Sequence, residues 1–316
     1  MSLFPRAAES ALANVPRSKG SKVFVVDYVN GSDSNPGTKW DAPLKTVEAA
    51  YALCTTLKND TVLLVGNGTS NTATAAITWA KDFTHLIGLC SGGPEPRSRV
   101  KSPAALATTP FITWSADGCI VKNVSFWHES SNAASLVNVL VSGGRNLFED
   151  CQFAGGIGTN NASGARSLKL STADASGNVF RRCWIGNDTI TAVAGNYALE
   201  FAGGAMHTVF DDCVFALTAG ATTTVHVACT AAADVGRFNQ FKGCLFINED
   251  PATVQASVFG IGGGNLDPSN RIIMRDCWQY GVAKWDSQNR GVITNITIAA
   301  NTTGVNTGNT LIITSS

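Results

Sequence analysis

Five short segments decide the fold: Phe148-Glu-Asp-Cys151-Gln-Phe153, Phe180-Arg-Arg-Cys183-Trp-Ile185, Phe210-Asp-Asp-Cys213-Val-Phe215, Phe241-Lys-Gly-Cys244-Leu-Phe246 and Met274-Arg-Asp-Cys277-Trp-Gln279. Two flanking segments fit with Cys replaced, Val121-Lys-Asn-Val124-Ser-Phe126 and Ile293-Thr-Asn-Ile296-Thr-Ile298. From Val124 to Cys277 the steps are 27, 32, 30, 31 and 33 residues; the last, to Ile296, is 19, so that repeat is irregular or truncated. A recurring period of this size marks a repeat architecture, in which each unit buries its apolar face against its neighbours. Cys and Phe two apart, with a variable residue between, is strand periodicity. No repeat has room for a long amphipathic helix. One coil of parallel strands per repeat, stacked about 4.8 Å apart, is the economical solution.

The residue before each Cys position reads Asn123, Asp150, Arg182, Asp212, Gly243, Asp276 and Asn295. All but Arg182 are types that tolerate a left-handed backbone, as a sharp corner between two strands requires. These acids are corner residues rather than catalysts. One position earlier, Lys122, Glu149, Arg181, Asp211 and Lys242 alternate in sign, so stacked rungs would carry a surface charge ladder that fixes register. The cysteines are small buried hydrophobes filling one interior column. A metal-binding thiolate stack is disfavoured because no His or second Cys recurs beside them.

Composition agrees. The chain has 316 residues, 23 Lys+Arg against 23 Asp+Glu, 15% charged and 44% hydrophobic residues, and 31 Gly. A zero net charge argues against a nucleic-acid binder, and the hydrophobic content against disorder. No apolar stretch approaches a membrane span of roughly 18 residues. Pro5, Glu9 and Pro16 interrupt any signal-peptide core, so synthesis in a cytoplasm without export is expected. Nine cysteines with no CxxC pair suggest neither a disulfide framework nor a zinc site.

The segment Val25-Val-Asp27-Tyr-Val-Asn30-Gly-Ser-Asp33-Ser-Asn35-Pro-Gly-Thr38, followed by Ala42-Pro-Leu-Lys-Thr46-Val-Glu-Ala-Ala50, resembles the opening of the pectate-lyase-like right-handed parallel β-helix superfamily. The resemblance implies an all-β, single-stranded coil of about eight turns over residues 21–298. A capping helix would span about 46–57, with Val47, Ala50, Cys54 and Leu57 on one face. Residues 1–20 would form a loosely held N-terminal arm, and residues 299–316 a C-terminal strand or hairpin. The signal-free start and the Ala/Gly/Thr/Asn-rich style are most similar to β-helix proteins of bacteriophage particles. That likeness implies a non-enzymatic structural component of the virion (capsid decoration, head spike or tail protein), contacting other virion proteins and needing no cofactor. The alternative is a tail-associated polysaccharide depolymerase, a glycoside hydrolase or lyase that engages surface glycan.

For chemistry, Lys169, Glu200 and His226 are expected to point outward from successive rungs, where a Lys–Glu–His column could do acid/base work. A polar surface ladder is the preferred reading, since no second carboxylate sits in that column. Asp27, Asn30, Asp33 and Asn35 could ligate Ca²⁺, but turn chemistry explains them. Gly155–Gly158 and Gly260–Gly264 lack the context of a phosphate loop, and His85, His128 and His207 stand alone. No catalytic, cofactor or metal residue is therefore singled out. The residue after each Cys must face outward, yet Trp184, Val214, Leu245 and Trp278 are apolar. They would form a stripe about 14 Å long, three strand spacings, and a homotrimer interface is expected there.

Overall fold

The computed structural model describes residues 6–67, 71–90, 93–156, 162–250, 252–262, 272–286 and 292–295. Leu3, Phe4, Gly158, Gly263, Gly264, Ile296, Ile298 and the expected C-terminal strand or hairpin at 299–316 lie outside the described residues. The chain is a right-handed parallel β-helix with three sheets of ten, eight and seven strands. The first sheet runs from Val23–Val26 to Val292–Asn295, the second from Asn71–Thr72 to Trp278–Tyr280, and the third from Ile77–Trp79 to Phe259–Ile261. Turns with a strand in every sheet are thus slightly fewer than the eight expected.

The register follows the sequence repeat. Phe148 pairs with Phe180, Phe180 with Phe210, Phe210 with Phe241 and Phe241 with Met274. The four phenyl rings stack with centroids 4.9, 4.9 and 4.7 Å apart. The corner residues from Asn123 to Asp276 have the left-handed backbone: φ is 54° at Asn123, 54° at Asp150, 49° at Arg182, 53° at Asp212, 62° at Gly243 and 55° at Asp276. Arg182, the residue type least suited to that region, donates two hydrogen bonds to the Asp150 carboxylate, at 2.7 and 2.8 Å, and meets Glu149 at 3.0 Å. The charge ladder forms as well: Lys122–Glu149 at 2.6 Å, Arg181–Glu149 at 3.6 Å, Arg181–Asp211 at 3.3 Å and Lys242–Asp211 at 3.0 Å.

Just inside that corner the thiols of Cys151, Cys183, Cys213, Cys244 and Cys277 stack, each 3.3–3.5 Å from a carbonyl oxygen of the preceding rung. All are reduced and the first four are buried. Cys277 is only half-buried, which corrects the expectation for that member. The residue that the repeat places over it, Ile296, lies outside the described residues.

A second left-handed column turns the third sheet into the first. It holds Phe83, Gly118, Arg145, Gly177, His207 and Phe238, with φ between 52° and 70°. The residue that follows points inward: Thr84, Cys119, Asn146, Asn178, Thr208 and Asn239. The three asparagines form an internal ladder. Asn146 Oδ1 accepts from Cys119 N–H (2.8 Å), Asn178 Oδ1 from Asn146 N–H (2.9 Å) and Asn239 Oδ1 from Thr208 N–H (3.1 Å). Their amide groups donate to the carbonyls of Ala116, Gly143 and Ala205. Buried backbone groups at a bend have no sheet partner, and these side chains supply one.

The N-terminal end is closed by the helix Val47–Leu53. Thr46 caps it, accepting from Ala49 N–H, and Lys81 Nζ donates to the carbonyls of Tyr51, Ala52 and Cys54 at its other end. Below it Tyr51, Trp79 and Trp114 stack at 4.2 and 4.7 Å. The helix is shorter than expected. Leu57 leaves the apolar face and is 61% exposed, because it occupies a left-handed turn at φ 63°. The N-terminal segment lies outside the coil but is not loose. A helix at Arg6–Leu12 places Ala8, Leu12 and Val15 against Val23, Val25, Leu63 and Ile87, which face outward from the first sheet. Among the described residues no helix is long and apolar enough to cross a membrane.

Candidate functional site

The third sheet brings Lys169 and Glu200 together but not His226. Lys169 pairs with Glu200, and Glu200 with Ala228, two residues beyond the histidine. Strand alternation fails there because His226 N–H and Val227 N–H both donate to Val258 O at 3.0 Å. The ring turns into the corner instead, where Nε2 donates to Ile247 O at 2.8 Å. Glu200 is enclosed between Arg166 Nε at 2.7 Å and Lys169 Nζ at 3.3 Å, with its side chain 7% exposed. The Arg166 guanidinium lies 4.1 Å from the Tyr197 ring centre and donates to the Gly195 carbonyl. With two cations on one carboxylate, this group is a closed ion cluster, as the ladder reading expects.

The other sequence candidates serve the backbone. Asp27 accepts from the N–H groups of Val29 and Asn30 and from Asn67 Nδ2. Asp33 accepts from Lys45 N–H, Thr46 N–H and Thr46 Oγ1. Those carboxylates hold a turn and a helix cap. His85 Nδ1 accepts from Ile120 N–H (3.0 Å), while Nε2 donates to Asn59 Oδ1 (3.1 Å). His128 and Ser135 sit 2.9 Å apart, the spacing of a nucleophile and its base. However, Ser135 Oγ donates to Thr108 O at 2.8 Å, so the histidine donates to the serine and no base faces the hydroxyl. His207 stacks on Phe238 with centroids 5.8 Å apart.

The outer face of the second sheet is different. On the strand Ser98–Lys101, Val100 is buried, while Arg99 and Lys101 share the opposite face. Arg99 pairs in register with Ser125, Ser125 with Gln152 and Gln152 with Trp184; Lys101 pairs with Trp127. The Arg99 guanidinium lies 4.3 Å from the Trp127 ring centre. Its Nε is buried without a partner, and among the described residues it forms no salt bridge. Loss of water and the nearby Arg97 charge hold its pKa below the ordinary guanidinium value, against the opposing effect of Glu95. Ser125 Oγ donates to Gln152 Oε1 at 2.6 Å, and Gln152 Nε2 donates to Glu95 Oε1 at 3.3 Å. The segment carrying Glu95 thus crosses the sheet, burying Ser125 and Gln152 and leaving the Glu95 carboxylate in solvent. Lys101 pairs with Glu129 at 2.6 Å. Farther along the same face Trp184, Val214 and Leu245 are half-buried, and Trp278 is 74% exposed.

This face offers a partly desolvated cation without a salt bridge among the described residues, indole surfaces and an accessible carboxylate held by a buried amide. Sequence reasoning missed Arg99, Trp127 and Glu95. A period-two signal was present in Arg97-Ser-Arg99-Val-Lys101, three basic residues on one strand face.

No family model matches the chain, and no characterised protein matches it by sequence. Solved structures do. A pectin methylesterase variant in complex with a hexasaccharide has a TM-score of 0.55 at 14% identity, over 83% of this chain and 80% of that one. The pectin methylesterase of Erwinia chrysanthemi gives 0.53 at 15% identity over the same shares. That of Yersinia enterocolitica gives 0.51 at 13% identity, over 77% and 82%. The likeness shows a shared fold, the right-handed parallel β-helix. These comparisons overturn the expected non-enzymatic role in a virus particle: the similar structures are mainly pectin-acting enzymes. A Geobacillus virus E2 protein reaches a TM-score of only 0.38, too low to support that role.

Proposed function

We propose that the protein is a depolymerase of acidic polysaccharide, with the sugar chain lying along the outer face of the second sheet. Arg99 carries the reading. A guanidinium partly stripped of water, with an unpartnered Nε and 4.3 Å from an indole ring centre, is suited to a sugar carboxylate, which would form a charge-assisted, two-point hydrogen bond. Trp127 supplies a face for a pyranose ring, and Glu95, held by Gln152, is the accessible proton acceptor. With Glu129 tied to Lys101, Glu95 and its neighbouring cations fit elimination better than hydrolysis, which uses a carboxylate pair. In that step the cations neutralise the uronate carboxylate and Glu95 takes the adjacent C5 proton. The C4–O bond then breaks and its oxygen takes a proton from water, leaving an unsaturated sugar on one fragment and a hydroxyl on the other. The fold shared with pectin-acting enzymes agrees with this substrate class.

The test is incubation with polygalacturonate, alginate and acidic capsular polysaccharides, read by unsaturated-product absorbance and by affinity electrophoresis. Wild type is expected to bind and cleave at least one of them. Arg99→Ala should weaken binding about 10- to 100-fold, the loss of a hydrogen bond to a charged group at ~1.5–3 kcal/mol, and Glu95→Gln should cut turnover with binding retained. Glu200→Gln should leave both unchanged. Wild type inert towards every acidic polysaccharide, or an Arg99→Ala protein with undiminished binding, rejects the reading.

A second proposal concerns assembly. The stripe Trp184, Val214, Leu245 and Trp278 pairs copies into a trimer, as expected of a bacteriophage tail enzyme, and leaves the rungs around Arg99 open. Trp278 and Tyr280, 74% and 64% exposed on one strand, favour it. Light scattering should show a trimer for wild type and a monomer for the Trp184→Glu/Leu245→Glu double variant. A monomeric wild type contradicts it.

A further inference from the structure

The corner between the third and first sheets carries a row of exposed side chains that packing does not explain. Its left-handed column extends one rung back from Phe83 to Leu57, at φ 63°. The members stand in strict register. The N–H of each donates to the carbonyl just before the next, from Leu57 to Asp82 O (2.8 Å) through to His207 to Arg237 O (2.8 Å). Leu57, Phe83 and Phe238 are 61%, 43% and 55% exposed, and Arg145 and His207 also face solvent. Bulky residues rarely adopt this backbone, whereas Asn and Gly tolerate it. Full burial does not offset the strain at Phe83 and Phe238, and strain of this kind gathers where a ligand is held. The row is also given room. Phe83 lies over Gly118, where a Cβ would stand 2.8 Å from the ring, and the Arg145 stem lies over Gly177. The carboxylates of Asp82 and Asp117, which precede Phe83 and Gly118, accept from the N–H groups of Asp117 (2.9 Å) and Gly144 (2.6 Å). Lys58, Arg145 and Arg237 are exposed and form no salt bridge among the described residues. Within the column and its immediate neighbours the unengaged charges are therefore cations.

We propose that this corner is a second, non-catalytic binding site for acidic polysaccharide. The sugar chain lies lengthwise along the row, with apolar sugar faces against Phe83 and Phe238 and its carboxylates on Arg145 and Arg237. Members of the row stand one rung, about 4.8 Å, apart, so the site repeats along the coil as a linear polymer does. The corner adjoins the third and first sheets only, so the site is separate from the Arg99 face and from the apolar stripe, both on the second sheet. Two sites on one polymer raise the effective concentration of sugar at each. The site stands on its own residues and does not require the depolymerase reading.

The experiment is affinity electrophoresis of the full-length protein through gels containing polygalacturonate, alginate or neutral dextran, with thermal unfolding and light scattering alongside. The Arg99→Ala protein is used so that the second sheet contributes little. It should still be retarded by at least one acidic polymer and not by dextran. Adding Phe83→Asn/Phe238→Asn should weaken that binding about 10-fold, as the loss of apolar contact implies, and Arg145→Gln/Arg237→Gln should weaken it as well. Asparagine suits the left-handed backbone, so the Phe83→Asn/Phe238→Asn protein should keep or raise its Tm. Lost binding at an undiminished Tm separates a ligand site from a structural one. Four results overturn the proposal: no retardation of the Arg99→Ala protein by either acidic polymer, retardation unchanged by the ring substitutions, a Tm lowered by them, or an oligomer that they dissociate, which would make the row a contact between copies. Binding undiminished by Arg99→Ala but lost with the ring substitutions would reject the depolymerase reading and leave this site standing.

Discussion

Lowering the pH from 6.5 towards 4 is expected to remove much of the stability of the coil. His85, His128 and His226 are buried, and burial pushes each pKa down to about 4. Their hydrogen bonds explain why a second proton is not accommodated. The Nδ1 of His85 already accepts from Ile120 N–H, and the Nδ1 atoms of His128 and His226 are buried without any acceptor nearby. In the unfolded chain each ring takes its proton near pH 6.5. The unfolded state therefore binds more protons in this window, and stability falls as the pH drops. The contribution is fully present above pH 6.5 and lost as the pH approaches the folded value of about 4. Each histidine accounts for ~3 kcal/mol at most, so the three together for ~9 kcal/mol. Urea midpoints measured between pH 7 and 4 should show the drop, and His226→Gln should remove about a third of it. A midpoint unchanged over that range would contradict the buried neutral rings.

The second large effect concerns the asparagine ladder. Asn178→Leu should lower the stability by ~2–6 kcal/mol, because Asn146 N–H and Gly143 C=O lose their partner, each at ~1–3 kcal/mol. Asn178 is fully buried, so no water replaces the amide without opening the coil. Chemical denaturation should show a reduced midpoint with an unchanged slope. Asn138→Leu is the comparison: its Oδ1 is buried without a partner and its amide makes one bond, to Phe126 O, so the loss should be smaller. Equal losses for the two variants would show that the ladder has no special role.

The contrast between the two corners explains what was legible in the sequence. At the corner before each cysteine, Asn, Asp and Gly carry the left-handed backbone, and Phe, Cys and Phe mark the inward positions. Propensity and pattern agree, so register, charge ladder and thiol column could all be read. At the other corner Gly118, Gly177 and His207 suit the left-handed backbone, but it is also imposed on Phe83, Arg145 and Phe238, which do not favour it. The local preference is mixed there, so the column does not stand out in the sequence as the first one does. The Lys169–Glu200–His226 column failed for a related reason, since strand alternation stops where a strand bends into a corner. The site on the second sheet was hidden differently. Its residues come from one loop and several rungs, they do not repeat, and Arg99 is distinguished by a missing partner rather than by its residue type. Only Ser125, Gln152 and Trp184 appeared beforehand, as outward positions, with Trp184 assigned to the expected trimer stripe.

The most direct measurement is a crystal structure of the protein bound to an acidic oligosaccharide identified by the cleavage screen. The account predicts a sugar carboxylate within hydrogen-bond distance of the Arg99 guanidinium, a pyranose ring against Trp127, and Glu95 facing the scissile unit. Density for the sugar on the third sheet beside Arg166 and Lys169, with the second sheet bare, would contradict it.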